Sequence, residues 1–293
     1  MTVPISVQRW QSSSPHAKLF GTQQKVSCSV LVAHPNDEIV AAGCLLKRLQ
    51  DVRVIHVSNG TPKQPRGEVD VPYGERRKRD CALALAVAGI TEDRIIDLDW
   101  CQFEVSTRMV ELSRQLLVLF RKTSPQIVLT HAYEGGHPDH DATAFCTHAA
   151  VRLLRRSGLK PPVLFEIATY PAAHGDIKIP EFLHTPSLES TTLVLDRQAQ
   201  QLKKHMLDFC NTERHILEPK WLSAERFREA PLYDFRLPPY FGTLHYEKFG
   251  WGLSGKQWRW YAREGLKKLF PASTRSFQVS AKPCALSHAR LSS

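Results

Sequence analysis

From residue 26 to residue 168, short runs of β-branched and apolar residues alternate with longer stretches whose apolar positions recur every three or four residues. That alternation leaves few folds open. The runs at 26–33, 52–57, 94–98, 126–130 and 163–168 have the length and composition of buried strands. Between them the spacing predicts helices. One begins at Asp37, with Val40, Cys44 and Leu45 on a face, and one covers 74–88 and is closed by Gly89. A third carries Val105, Met109, Leu112, Leu116 and Leu119 along a single stripe, and a fourth covers 139–156. Strands that alternate with helices pack as a mostly parallel sheet covered on both faces, a Rossmann-like α/β arrangement. There is no internal repeat.

Beyond about residue 170 the rhythm weakens. Pro171, Pro180, Pro186, Pro231, Pro238 and Pro239 punctuate irregular chain, and helices are expected at 197–209 and 254–270. On the last of these Trp258, Tyr261 and Leu266 share a side and read as packing residues. Residues 1–25, polar with a serine run at 12–14, read as a loose lead-in, and residues 271–293, Ser-rich and basic, as a disordered tail. The expected organisation is a single domain over 26–270.

Composition narrows the function classes. An apolar content of 42% and a charged content of 23% in 293 residues suit a soluble protein with a sizeable core. No run approaches the roughly 18 apolar residues that span a bilayer, and the N-terminus has no secretory pattern. The seven cysteines are scattered, without a CxxC pair, so neither a disulfide framework nor a cysteine zinc motif is expected. Those features point to the cytoplasm and to no membrane partner. The net charge of +10 comes partly from clusters at 76–79, 152–156 and 203–204, all inside helical stretches, where they read as solvated faces. No aromatic and basic interleaving of a nucleic-acid surface accompanies them. The charge is compatible with an anionic substrate and identifies none.

Two segments carry chemistry: Ala33-His34-Pro35-Asn36-Asp37-Glu38 and Gly136-His137-Pro138-Asp139-His140-Asp141. Each follows an expected strand and runs into an expected helix. In an open parallel sheet such loops line the carboxyl edge, where ligands bind. Taken singly, His-Pro followed by Asp is ordinary loop chemistry, with the carboxylate capping a helix. Taken together they are a metal site, because imidazoles and a carboxylate are good zinc ligands and a catalytic zinc uses three of them. His34 and Asp37 can converge from one loop, and one histidine of the second segment completes the set. There is no GxSxG elbow, GxGxxG loop or Walker loop, so serine-hydrolase, dinucleotide and ATP chemistry are disfavoured.

The first segment resembles the AHPDDE motif of the LmbE/PIG-L zinc de-N-acetylases, and the second their GHPDH motif. Arg77, Asp80 and Gly89 resemble the family's helix pattern, with Asp in place of the more usual Glu. The likeness is strong over about 26–150, and weaker through Glu225–Phe235 and Trp251-Gly252, which look like a bacterial branch. The resemblance implies zinc held by His34, Asp37 and His140. It implies that His137 stabilises the tetrahedral intermediate or protonates the leaving amine, with Asp139 orienting His137 and keeping it cationic. Glu38 is then structural or supports a metal ligand from behind. The implied reaction is hydrolysis of an N-acyl group from an amino sugar or glycoconjugate.

One position departs from the pattern. The family places its general base immediately before the metal-binding aspartate, and here that residue is Asn36. An amide can hydrogen-bond the attacking water but cannot take its proton, and loss of a general base costs about 10²–10⁴ in rate. Three readings stay open: another carboxylate such as Glu38 or Glu134 replaces it, the chain is an inactive zinc-containing sugar-binding or regulatory protein, or it is an active-site variant that retains substrate. Around the crevice, Arg77, His131, Tyr133 and Glu134 are candidate substrate contacts, and His56, at the end of the second strand, reads as packing. The acceptor sugar, the acyl chain and the oligomeric state are not specified by the sequence.

Overall fold

The computed structural model describes residues 14–21, 26–61, 71–169, 181–183, 188–211 and 219–271. Its strands are β1 (Ser27–Val32), β2 (Asp51–Ser58), β3 (Ile95–Trp100), β4 (Ile127–His131), β5 (Val163–Ile167), β6 (Thr191–Val194) and β7 (Ala224–Glu229). They form one sheet in the order β3-β2-β1-β4-β5-β7-β6. The first five pair in parallel, while β7 is antiparallel to both β5 and β6.

The helices are α1 (Pro15–Phe20), α2 (Asp37–Leu46), α3 (Val71–Ala88), α4 (Met109–Thr123), α5 (Pro138–Arg156), α6 (Arg197–Leu207) and α7 (Gly255–Leu269). Strand side chains alternate between the faces of the sheet. Val30 and Val32 join Ile39, Leu45, Leu85 and Met206 in the core under α2, α3 and α6. Leu31 on the same strand joins Leu112, Leu116, Phe145 and Trp258 under α4, α5 and α7. Both faces are thus covered, which is why β1 reads as an uninterrupted apolar run. The strand order reverses between β1 and β4, and this switch point opens a crevice at the carboxyl edge.

The structure departs from the sequence reading in several places. Part of the expected lead-in is a helix: Ser14 caps α1 by accepting the Ala17 N–H, and Leu19 and Phe20 are buried against the sheet. The remaining residues of 1–25, and all but the first of the expected tail, lie outside the described residues. Strands β6 and β7 occupy a stretch that read as irregular, because β7 (Ala-Glu-Arg-Phe-Arg-Glu) buries charged residues in pairs and so shows no apolar run. Glu225 is bonded to Lys203 at 3.0 Å with both side chains fully enclosed, and Arg228 to Glu166 at 2.6 Å. A further departure is His56, described below. Among the described residues no helix is long and apolar enough to cross a membrane.

Candidate metal centre

The two motif loops meet at the switch point. The first follows β1 and enters α2 through Asn36, whose φ of 84° lies in the left-handed region, one that asparagine tolerates better than most residues. That turn brings Asp37 back under His34, so that Asp37 Oδ2 accepts the backbone N–H of His34 at 2.9 Å. The second loop follows β4 and enters α5 with His137 as its N-cap and Pro138 in the first turn, where a missing N–H costs nothing. His137 and His140 thereby project into the same space as His34 and Asp37.

Asp37 Oδ2 is the hub. It lies 3.3 Å from His34 Nδ1 and 3.2 Å from His140 Nε2. Two ligand atoms on a tetrahedral zinc, at bond lengths near 2.0–2.1 Å, stand about 3.3 Å apart, so each of these two edges suits that ion. The outer nitrogens are engaged as metal-ligating imidazoles commonly are: His34 Nε2 is 3.4 Å from Asp139 Oδ2, and His140 Nδ1 is 3.4 Å from Thr169 Oγ1. Ligand atoms of His34, His137 and His140 also fall within 4.8 Å of one another, as do those of Asp37, His131 and His140. His131 differs from the others in that its Nε2 accepts the Ala33 N–H at 2.9 Å, which occupies that lone pair.

Burial opposes charge on His34, His137 and His140, and the neighbours decide the outcome. For His34, hydrogen bonds to Asp139 and Asp37 overcome burial and raise its pKa to about 9. For His140, burial and the neighbouring His131 depress it to about 3. Burial and the imidazoles of His34 and His140 hold His137 well below the ordinary histidine value. Asp37 is held well below the carboxylate range because His140, His131 and His34 outweigh its burial.

This corrects the role expected of Asp139. Its carboxylate bonds His34 and accepts the Phe103 N–H at 2.7 Å, and it is the backbone N–H of Asp139 that His137 Nδ1 accepts, at 3.1 Å. With Nδ1 accepting, a neutral His137 carries its proton on Nε2; the Gln102 amide nitrogen 3.3 Å away is itself a donor, so Gln102 pairs with that proton only through its oxygen, with the amide turned over. Phe103 stacks on the same ring at 5.4 Å and Trp251 approaches it at 5.0 Å, with Phe249 stacked on Trp251. Gln102, Phe103 and Thr169 carried no signal in the sequence. Trp251 was visible only as part of the weaker family likeness.

The other candidates each contact the chain itself. Arg77 donates to the carbonyls of Pro35 and Gly60, fastening α3 to the first loop. Tyr133 lies in the core against Trp258 and donates to the Leu237 carbonyl. Glu134 accepts from the Leu183 N–H and from Arg228, and burial pushes its carboxyl up to about 8. Glu38 faces His56 and Cys81, so the two carboxylates considered as substitutes for Asn36 both serve other partners. Asn36 itself is buried, and its Oδ1 accepts the Cys210 thiol at 3.2 Å.

The fold and this cluster define an α/β protein with a metal-type ligand set at the carboxyl edge of its sheet. Residues 29–151 match the family described as PIG-L, GlcNAc-PI de-N-acetylase. No curated protein sequence matches the chain. Among solved structures it resembles the A40926 pseudoaglycone deacetylase Dbv21, with 18% identity over 70% of this chain and 97% of that one, TM-score 0.52. A deacetylase of teicoplanin biosynthesis, solved as its bog complex, aligns at 15% identity over 70% and 99%, TM-score 0.52. The deacetylase–teicoplanin complex aligns at 13% over 70% and 100%, TM-score 0.51. At these identities the likeness establishes the shared fold.

Proposed function

We propose that the chain is a zinc-dependent de-N-acetylase of an N-acylated amino sugar or glycoconjugate, slowed by the amide at position 36. The observation that carries this reading is the convergence of His34 Nδ1 and His140 Nε2 on Asp37 Oδ2 within the stretch that matches the PIG-L family. These three residues would hold the ion, which would supply a Lewis acid to the amide carbonyl. Asp139 fixes the ring of His34 from behind, and Thr169 that of His140. His137, neutral and protonated on Nε2, donates to the carbonyl oxygen as negative charge develops there, the role of an oxyanion donor. Phe103, Trp251 and Phe249 offer apolar faces beside His137 for a sugar ring or an acyl group. The family description and the glycoconjugates named for the similar structures support a substrate of this class.

Asn36 also favours a second reading, in which the pocket binds an N-acylated sugar without turning it over. The discriminating experiment is acetate release from N-acetylglucosamine conjugates by the wild-type chain and by Asn36→Asp, on a conjugate that both bind. A carboxylate of nearly the same shape restores a proton acceptor, and release rises by about 10²-fold or more. Equal, brisk rates would remove the impaired-enzyme reading. No release by either protein would leave the binding function.

A further inference from the structure

A second group of donors lies one residue away from the first. Glu38 in the first turn of α2, His56 near the end of β2 and Cys81 in α3 place an oxygen, a nitrogen and a sulfur within 4.8 Å of one another. All three residues are buried. His56 Nε2 is 3.3 Å from Glu38 Oε1, Cys81 Sγ is 3.7 Å from His56 Nε2, and Cys81 Sγ is 2.9 Å from Glu38 Oε1. On a tetrahedral zinc the corresponding edges are about 3.3 Å for N···O, about 3.6 Å for S···N and about 3.5 Å for S···O. Two of the three edges already match. The third is the thiol-to-carboxylate hydrogen bond, which opens once the thiol loses its proton.

Two further features belong to a metal ligand set. His56 Nδ1 lies 2.8 Å from Asp97 Oδ1, the carboxylate-behind-imidazole arrangement that fixes a metal-bound histidine. Glu38 Oε2 is fully buried with no hydrogen-bond partner, which leaves the carboxylate a second oxygen to contribute. We propose that Glu38, His56 and Cys81 hold a second, structural zinc ion that ties α2, β2 and α3 together behind the loop of His34 and Asp37. The charges balance: a Cys81 thiolate and the Glu38 carboxylate offset the ion, neutral His56 keeps its Nδ1 proton for Asp97, and the thiol proton leaves to solvent. Sulfur with nitrogen and oxygen donors selects zinc over magnesium or calcium.

Cobalt tests this directly, because, of the two sites among the described residues, this one has a thiol in its own donor set. Full-length protein produced with cobalt in place of zinc should show sulfur-to-cobalt charge-transfer absorption in the near ultraviolet. The band should persist in His140→Ala and Cys210→Ser and vanish in Cys81→Ser, whose hydroxyl keeps the hydrogen bond to Glu38. Metal analysis of the zinc-loaded proteins should give two equivalents in the wild type, one in Cys81→Ser, one in His140→Ala and none in the double variant. Absence of the band from wild-type protein, or a band and second equivalent that survive Cys81→Ser, would overturn the proposal and leave Glu38, His56 and Cys81 as a hydrogen-bonded network only. Failure of the first centre reads differently, as an undiminished metal content in His140→Ala.

Discussion

The five parallel strands β1–β5 and the antiparallel pair β6 and β7 belong to one sheet, yet they bury polar groups for different ends. In the parallel part the residues of the two motif loops sit past the carboxyl ends of β1 and β4, where His34, Asp37, His137, Asp139 and His140 converge on one crevice. In the antiparallel part the charges lie within the strand itself. Glu225 accepts from Lys203 and from the N–H groups of Cys44 and Leu45 in α2, while Arg228 reaches Glu166, Glu134 and the Tyr233 hydroxyl. Charge at a strand end is available for chemistry, whereas charge inside a strand is consumed in holding elements together.

Lys203→Met should break that division most severely if it is wrong. Removing one partner of a buried pair leaves Glu225 charged without its counterion and costs about 3–5 kcal/mol. Chemical denaturation should show the loss, with zinc content per folded chain unchanged. A metal content that fell along with stability would mean the two parts are not separable.

Asp139→Asn sharpens the other side of the comparison with a smaller effect. The amide keeps an oxygen for the Phe103 N–H but no longer offers a negative charge to His34, so zinc affinity should weaken by about 10–100-fold with the fold intact. Chelator competition measures it. Unchanged affinity would show that His34 is not held from behind by this carboxylate.

The same contrast explains what could be read in the sequence. Strands β1, β2, β4 and β5 announce themselves because burial on both faces demands apolar runs, and the metal-type residues because two similar motifs follow two of those strands. Strand β7 was illegible because Glu225 and Arg228 look solvent-facing until their partners, 22 and 62 residues away, are known. His56 was read as packing, and its bonds to Glu38 and Asp97 depend on α2 and β3 arriving beside β2. Asp139 was assigned to the nearer imidazole. Sequence spacing places it two residues from His137, but the cap geometry of α5 turns the backbone N–H toward that ring and the carboxylate toward His34, 105 residues away. Asn36 was recognised as out of pattern, although its contact with Cys210, 174 residues on, was not foreseeable.

Zinc back-titration tests most directly whether the cluster around Asp37 is a catalytic zinc centre. Asn36→Asp protein is stripped of metal, and acetate release from an N-acetylglucosamine conjugate is followed as zinc is returned, beside the same protein carrying His140→Ala. Release should be lost on stripping, rise with zinc to saturation when His140 is present, and stay absent at every zinc concentration when it is replaced. Release that survives metal removal, or that zinc restores equally in the His140→Ala protein, would contradict that reading.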